Sequence, residues 1–295
     1  MVSGRLPAHV GARNALFQQW SALAANRSLR TRSGQLLVQG VRPVTLAVRG
    51  GVVQALLRPT RSTPSVWARE MVDAAGVPVV EVDAELLAEL GGKQDGPAPE
   101  LVALAGMPAD DLGRIDAAAG PVLVLDRPAS PGNIGTLIRS ADAFGAAGVV
   151  VAGHAADPWD PRAVRASTGS VFTVPVVRVD AAADVLAWAG LVRTAGTLLR
   201  LVGTDESGAV PVADADLGGP LLLVVGTEAT GMSRAWRDAC ELTVSIPIGG
   251  GASSLNAAAA GSVVLYEIAR QRAARVATTT RRSSSSADGL VPAES

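Results

Sequence analysis

Apolar residues occur along the chain either at helical spacing or in short continuous runs. Leu16, Trp20 and Leu23 recur at intervals of three or four residues, which predicts an amphipathic helix over Ala15–Ala25. Short apolar runs between turn-forming residues predict strands. In the first third of the chain we predict strands at Gln35–Gln39, Thr45–Val48, Val52–Leu57 and Val77–Val82, and a helix at Ser65–Ala75.

The alternation becomes more regular from Pro121 onwards. Apolar runs predict strands at Val122–Leu125, Gly148–Ala152, Leu198–Gly203, Leu221–Val225 and Thr243–Pro247. Helical spacing predicts helices at Ile134–Phe144, Ala182–Arg193, Ser233–Ala239 and Leu255–Gln271. Strands separated by helices indicate a parallel sheet whose ligand-binding loops follow the carboxyl ends of the strands.

Turn-rich and low-complexity stretches mark the boundaries between these units. We predict a flexible arm over residues 1–14, a small α/β domain over 15–108, a linker over 109–120, a second α/β domain over 121–274 and a disordered tail over 275–295. Hydrophobic residues make up 48% of the chain and aromatic residues only 3%, so aliphatic side chains must fill both cores.

Few residues are available for metal binding or nucleophilic catalysis. Cys240 is the only cysteine, which excludes a disulfide framework or a cysteine metal site within one chain. His9 and His154 are the only histidines and lie far apart in sequence, so a Ser-His-Asp triad has little support. We expect no metal.

Basic residues are concentrated at the start of the chain. The first acidic residue is Glu70, and the preceding 69 residues contain ten arginines: Arg5, Arg13, Arg27, Arg30, Arg32, Arg42, Arg49, Arg58, Arg61 and Arg69. The formal net charge is −1, so the rest of the chain is acidic. A genome that favours arginine explains the shortage of lysine but not the missing acids. The distribution predicts a polyanionic partner such as a nucleic acid.

Nothing in the sequence indicates a membrane or an export signal. Arg5, His9 and Arg13 interrupt any apolar stretch at the start, so there is no signal-peptide pattern. The longest apolar runs, such as Leu221–Val225, are too short to span a bilayer. We expect a cytoplasmic protein.

The first stretch that carries candidate chemistry follows the strand predicted at Val122–Leu125. A Pro/Gly-containing loop leads to Asn133, which we predict to cap the next helix, and Arg139 lies farther along that helix. A helix N-terminus beside an arginine suits a phosphate. An ordinary capped helix with a surface arginine is the alternative.

Two later strands also end in glycine-containing loops. The strand Leu221–Val225 leads to Gly226 and Glu228, and we predict that Ser233 caps the following helix. The strand at Thr243–Pro247 leads to Gly249–Gly251, Ser253, Ser254 and Asn256, with Ser253 or Ser254 predicted to cap a long helix. Neither loop has the spacing of a Walker phosphate loop or of a dinucleotide-binding fingerprint. A structural turn and a glycine hinge are the alternatives.

In order and spacing, the three stretches resemble the motifs of the SpoU branch of the SPOUT methyltransferases. The resemblance is carried by Asn133-x-Gly-x-x-x-Arg139, by Gly226-x-Glu228-x-x-Gly231, and by Ser245-Ile-Pro-Ile followed by Ser253-Ser-Leu-Asn256. It implies a C-terminal domain with a trefoil knot, S-adenosylmethionine as cofactor and a homodimer. Asn26–Val48 resembles the ribosomal-protein-like RNA-binding domain that often precedes this catalytic domain.

The resemblance also implies roles for individual residues. Asn133, Arg139, Glu228, Ser254 and Asn256 match catalytic positions. Gly226, Ile246 and Leu255 match the cofactor pocket, with Gly203 and Thr204 as further candidates for its rim. The charge pattern adds Arg27, Arg30, Arg32 and Arg42 as RNA-binding candidates.

The implied reaction is methylation of a ribose 2′-hydroxyl. Arginine stays protonated in proteins, so we expect Arg139 to orient a phosphate and stabilise the developing alkoxide rather than to remove a proton. Asn133 and Asn256 would position the ribose, and Glu228 would fix Asn133 or Arg139 by a hydrogen bond.

Several functions remain open at this point. The segments Ala12–Trp20 and Arg127–Gly135 resemble the antibiotic-resistance ribosomal RNA methyltransferases of this family, which favours 23S ribosomal RNA as substrate. A transfer-RNA 2′-O-methyltransferase would share every catalytic motif, and a non-catalytic RNA-binding protein would share the fold. A nucleotide-dependent oxidoreductase lacks support, because the glycine-rich fingerprint with its acidic ribose ligand is missing.

Overall fold

The computed structural model describes residues 6–92 and 98–287, and only the backbone over 278–287. The first sheet contains β1 (His9–Val10), β2 (Gln35–Gln39), β3 (Val53–Pro59), β4 (Val79–Val82) and β5 (Val102–Gly106). The second contains β6 (Val122–Asp126), β7 (Gly148–Ala152), β8 (Val176–Val179), β9 (Arg200–Thr204), β10 (Val210–Pro211), β11 (Leu221–Val225) and β12 (Leu242–Ser245).

Helices flank both sheets. Those of the first domain are α1 (Ala15–Ala25), α2 (Arg27–Ser33), α3 (Val41–Arg49), α4 (Val66–Ala75) and α5 (Ala84–Leu90). Those of the second are α6 (Pro131–Ala143), α7 (Pro161–Ala166), α8 (Ala182–Thr194), α9 (Arg234–Ala239) and α10 (Ala257–Ala287). Single 3-10 turns lie at Leu112–Arg114 and Ser170–Phe172. The predicted α/β class is confirmed.

The first sheet is mixed, with the strand order β1-β4-β3-β5-β2. Strands β1, β4 and β3 run parallel, whereas β5 runs antiparallel to both β3 and β2. The prediction of a flexible arm over residues 1–14 is wrong for its second half, because His9 and Val10 pair with Glu81 and Val82. Val10 is only 1% exposed, so its burial ties this segment to the sheet. Residues 1–5 lie outside the described part.

The strand predicted at Thr45–Val48 is wrong, because these residues belong to helix α3. Pro43, Val44, Ala47 and Val48 are the buried residues of this helix, and their spacing of three and four places them on one helical face. A short apolar run is compatible with the periodicity of a strand and with that of a helix, and in the structure this run forms the buried face of α3.

The second sheet is entirely parallel, with the strand order β10-β12-β9-β11-β6-β7-β8. All five residues of β6, β7 and β11 are buried. Strands covered on both faces are expected to be apolar throughout, which is the pattern the sequence shows. The predicted parallel sheet is confirmed.

Helix α10 extends well beyond the predicted end of the second domain. It packs closely on α6 at Gly261, where an added Cβ would lie 2.6 Å from the Leu137 side chain. The helix continues to Ala287, so the prediction of a disordered tail from residue 275 is wrong as far as that residue. Residues 288–295 lie outside the described part.

A buried ion pair joins the two domains. Arg30 of α2 is 2% exposed, and its Nε and Nη2 donate to Asp157 Oδ2 at 3.0 and 2.7 Å. Its Nη1 donates to the Leu23 carbonyl oxygen at 2.7 Å. Asp157 also accepts from the Trp159 backbone N–H at 3.1 Å. The prediction that Arg30 binds RNA is therefore wrong, because its guanidinium is enclosed and fully engaged within the protein.

Within the described part of the chain, no helix is long and apolar enough to cross a membrane. The same residues contain no group of three or more His, Cys, Asp or Glu side chains placed to hold a metal ion.

We expect Arg30→Met to lower the free energy of unfolding by about 3–5 kcal/mol, because the Asp157 carboxylate would stay buried with only Arg178, 3.8 Å away, as a cationic neighbour. Adding Asp157→Asn should recover part of this loss, since asparagine still accepts from the Trp159 N–H and carries no charge. Urea unfolding measures both changes. Arg162→Met is the control, because its ion pair with Asp160 is exposed and should contribute at most about 1 kcal/mol. If Arg30→Met and Arg162→Met lowered the free energy of unfolding equally, the buried pair would not be the stronger of the two ion pairs.

Candidate active site

Three loops that follow parallel strands meet at the carboxyl edge of the second sheet. They are the loop between β6 and α6, the turn between β11 and α9, and the loop between β12 and α10. Parallel strands end at the same edge, so residues distant in sequence come together there. The second and third predicted motifs occupy two of these loops, and the first motif begins in the first turn of α6, directly after the remaining loop.

Asn133, Glu228 and Asn256 form a hydrogen-bonded cluster. Asn133 Nδ2 donates to Glu228 Oε1 in a short contact, and Asn256 Nδ2 donates to the same oxygen at 3.3 Å. Asn256 Nδ2 also lies 3.4 Å from Asn133 Oδ1. The expectation that Glu228 fixes Asn133 by a hydrogen bond is thus met in the structure. The catalytic role of the three residues remains a prediction.

The two asparagines are held by different helix ends. Ser130, not Asn133, caps α6, and its Oγ accepts from the Asn133 backbone N–H at 3.3 Å. The Asn133 side chain is therefore free to reach Glu228. Asn256 caps α10 itself, because its Oδ1 accepts from the Ala258 N–H at 2.9 Å. The predicted caps at Asn133 and at Ser253 or Ser254 are wrong.

Glu228 stands on a turn that closes on itself. Thr227 and Gly231 exchange backbone hydrogen bonds of 3.1 and 2.9 Å, and the Thr227 and Thr230 hydroxyls lie 2.9 Å apart. A Cβ on Gly226 would overlap the backbone of Gly231 and Met232. Glycine is thus needed at 226 for the turn to pack against itself, in addition to any contact with a ligand. Ser233 occupies the N-cap position of α9 without a side-chain cap bond.

A cleft of about 650 Å³ lies beside the cluster. Four of the five predicted pocket residues line it, namely Thr204, Gly226, Ile246 and Leu255. Gly203 does not, because it is buried where a Cβ would overlap the Met232 side chain and approach Cys240 Sγ at 3.1 Å. Ser254 is also absent from the lining, and its neighbour Ser253 takes that place. Glu228 faces both the cleft and the two asparagines.

The rim of the cleft carries acidic groups that the sequence motifs do not indicate. Asp205 and Glu206 follow β9 directly and line the cleft. Hydrogen bonds from the Ser207 hydroxyl and backbone N–H lower the pKa of Asp205. Its carboxylate stays ionised at neutral pH, so the rim favours a ligand with positive charge. The sequence signal that could have indicated Asp205 and Glu206 is their position immediately after a predicted central strand.

Arg139 does not join this cluster. It lies on α6 six residues beyond Asn133, which turns it to another face of the helix at about 100° per residue. It is exposed and makes no hydrogen bond or ion pair with the residues that the structure describes. Glu228 therefore fixes Asn133 and Asn256, and the alternative expectation that it fixes Arg139 is not met.

Two family profiles match the chain. The SpoU L30e-like domain matches residues 14–103, and the SpoU rRNA Methylase family matches residues 120–266. Among curated proteins, a 23S rRNA (uridine(2479)-2′-O)-methyltransferase of Streptomyces viridochromogenes is 52% identical, covering 86% of this chain and 89% of its own length. An uncharacterized tRNA/rRNA methyltransferase of Mycobacterium avium is 33% identical, covering 85% and 82%.

Solved structures give the same picture. The SpoU methyltransferase AviRb from Streptomyces viridochromogenes, in complex with AdoMet, matches with a TM-score of 0.84 and 52% identity over 88% of this chain and 98% of its own. An AdoMet-bound rRNA methyltransferase from Sinorhizobium meliloti matches with a TM-score of 0.77 and 26% identity over 90% and 98%. Both matches extend over the two domains.

We expect Gly226→Ala to lower the free energy of unfolding by about 1–3 kcal/mol, because the added methyl group would meet backbone that cannot move independently. Chemical denaturation measures the change. The matched control is Gly190→Ala on α8, where an added Cβ meets no atom within 4 Å and should stabilise the helix slightly. A Gly226→Ala protein as stable as this control would show that the turn tolerates a side chain.

Proposed function

The chain belongs to the SpoU rRNA Methylase family, and we propose that it transfers a methyl group from S-adenosylmethionine to a ribose 2′-hydroxyl of 23S ribosomal RNA. The observation that carries the proposal is the position of Glu228. It lines the cleft and also accepts hydrogen bonds from Asn133 and Asn256. A cofactor in the cleft and a ribose at the asparagines would therefore meet at one carboxylate.

The cleft has the size and chemistry that the cofactor requires. Its volume of about 650 Å³ lies within the range of small-molecule sites. Ile246 and Leu255 offer apolar surface for an adenine ring, while Asp205 and Glu206 offer negative charge for an amino group or a sulfonium. When bound, S-adenosylmethionine supplies an electrophilic methyl group, so the chain need only position the acceptor hydroxyl and stabilise the alkoxide that develops as the hydroxyl proton passes to water.

The chain's own residues divide this work. The asparagine amides hold the Glu228 carboxylate in one orientation, and together they form a polar surface where a ribose can bind. Arg139 lies apart from this surface with its guanidinium unpaired among the described residues. We propose that it binds an RNA phosphate and that its charge stabilises the developing alkoxide through space, without contact to the asparagines.

The first domain supplies affinity for RNA. Arg32 and Arg42 are exposed and have no partner among the described residues, so their charges are available to phosphates. Arg27 is also exposed, although its Nη1 donates to the Ala155 carbonyl oxygen at 2.6 Å. Arg30 is excluded because the ion pair with Asp157 encloses it.

The homodimer and the knot that the family resemblance implies also belong to the proposal. On α10, Tyr266 and Val263 are 56% and 41% exposed, and Tyr266 packs edge-on against Phe144. Such an apolar face suits a second copy of the chain. Ala257 at the start of α10 lines the cleft, and Gly261 packs on α6. The knot is proposed from the family membership alone. Action on ribosomal RNA supports a cytoplasmic location.

The relative with 52% identity acts on 23S ribosomal RNA by its name, whereas the mycobacterial relatives are named only as tRNA/rRNA methyltransferases. This difference favours 23S ribosomal RNA over transfer RNA. Resistance of the host's own ribosomes to an antibiotic is then the biological role that we propose. Methyl transfer to 23S and transfer-RNA transcripts, followed by primer extension at low dNTP, decides between the substrates, and absence of transfer to either would indicate a non-catalytic RNA-binding protein.

We expect Arg139→Ala to reduce kcat by about 100- to 1,000-fold, because it removes a charge that stabilises the transition state. Calorimetry should show unchanged affinity for S-adenosylmethionine, since Arg139 does not line the cleft. Arg193→Ala on α8 removes the same charge from a surface ion pair and serves as the control. Near-normal turnover of Arg139→Ala would refute the assignment.

We expect Arg32→Glu and Arg42→Glu each to weaken RNA binding and to reduce the slope of log K against log salt by about one. Arg13→Glu is the control, because Arg13 already pairs with Glu89 at 2.8 Å and contributes less free positive charge. Filter binding across a salt series measures all three. If Arg13→Glu weakened binding as much as the others, net charge and not these unpaired arginines would determine affinity.

A further inference from the structure

Asp126 is a buried carboxylate to which none of the roles above applies. It is the last residue of β6, only 3% exposed, and lies next to the loop that leads to Asn133. Its Oδ2 accepts from the Ser233 backbone N–H at 2.6 Å, at the end of the turn that carries Glu228. A buried carboxylate needs such partners, so this contact is a strong constraint on the turn.

The next residue completes a link between the two loops. Arg127 donates from Nε to Asp126 Oδ1 at 3.1 Å and from Nη2 to Asp126 Oδ2 at 3.2 Å. The same Nη2 lies 3.4 Å from the Gly231 carbonyl oxygen. Two consecutive residues at the end of β6 thus contact the turn at both Gly231 and Ser233.

Arg127 makes these contacts from an unusual backbone conformation. Its φ is +52°, in the left-handed region that side chains other than glycine rarely occupy. Gly153 leaves room for it, because a Cβ there would lie 2.9 Å from Arg127 Cγ. Backbone strain persists only where surrounding contacts enforce it. The conformation directs the guanidinium back onto Asp126 and across to the turn.

The turn is therefore fixed at both of its ends. At the start, Val225 pairs with Leu125 in the sheet. At the end, Asp126 and Arg127 hold Ser233 and Gly231. The middle of the turn carries Glu228 toward the asparagines, and the turn as a whole lines the cleft.

We propose that Asp126 and Arg127 are positioning residues that hold the turn over residues 226–232 where Glu228 meets both asparagines and the turn lines the cofactor cleft. The proposal rests on the proposed function for its link to catalysis. It assigns no contact with substrate to either residue.

Three variants separate the contacts. Asp126→Ala removes the acceptor for the Ser233 N–H and the partner of Arg127. Asp126→Asn keeps an acceptor but loses the charge. Arg127→Gly removes the guanidinium while allowing the left-handed backbone. Arg61→Gly is the matched control, because Arg61 has a φ of +58° in the first domain.

Hydrogen–deuterium exchange of the amides over residues 226–233, in the protein without ligand, tests the holding contacts directly. We expect exchange about tenfold faster in Asp126→Ala and Arg127→Gly, a smaller increase in Asp126→Asn, and no change in Arg61→Gly. Unchanged exchange in Asp126→Ala would overturn the proposal, whatever the protein does with cofactor.

Calorimetry with S-adenosylmethionine and steady-state kinetics test the consequence. We expect Asp126→Ala to raise Kd and KM for the cofactor about tenfold and to lower kcat, with partial recovery in Asp126→Asn. The KM for RNA should stay unchanged, because the first domain supplies most of the affinity for RNA. Faster exchange with unchanged cofactor affinity and kcat would overturn the positioning role. A wild-type protein that binds no S-adenosylmethionine would overturn the proposed function, while faster exchange in the variants would still support the link between the loops.

Discussion

Strands β12, β9, β11 and β6 lie side by side and parallel, so the loops that follow them leave the sheet at one edge. This constraint brings together residues separated by more than a hundred positions, such as Asn133 and Asn256. It also explains why the cleft and the polar cluster share a wall, because Glu228 stands on the loop after a central strand. An antiparallel arrangement would have sent half of these loops to the opposite edge.

The arginines of the acid-free first segment serve different purposes in the folded chain. Arg30 forms the buried ion pair with Asp157, which fixes the first domain against the second. Arg13 is partly neutralised by Glu89 from farther along the same domain. Arg32 remains unpaired among the described residues and exposed. Charge composition therefore overstates the surface available to RNA, and the fold determines which positive charges remain.

The sequence predicts the buried strands well, because continuous apolar runs such as Gly148–Ala152 suit a parallel sheet covered on both faces. It fails at Thr45–Val48, where a short apolar run fits a helix equally well. It also misplaces the cap of α6, although Pro131 at the first helical position is a local signal that Ser130 is the cap. The motifs indicated which loops form the candidate site, but local sequence patterns do not predict hydrogen bonds between distant residues, such as that of Asn133 with Glu228.

Asn133 and Asn256 have equivalent roles in the motifs, but their side chains differ in how many of their hydrogen-bonding groups are already used. Asn256 uses its amide N–H groups on Glu228 and Asn133, and its carbonyl oxygen accepts from the Ala258 N–H. An asparagine offers two donor hydrogens and one acceptor oxygen, so little of Asn256 is left for a substrate. Asn133 uses one N–H on Glu228 and keeps the other, and no described residue donates to Glu228 Oε2. Asn256 therefore maintains the geometry, while Asn133 and Glu228 retain the capacity to bind a ribose.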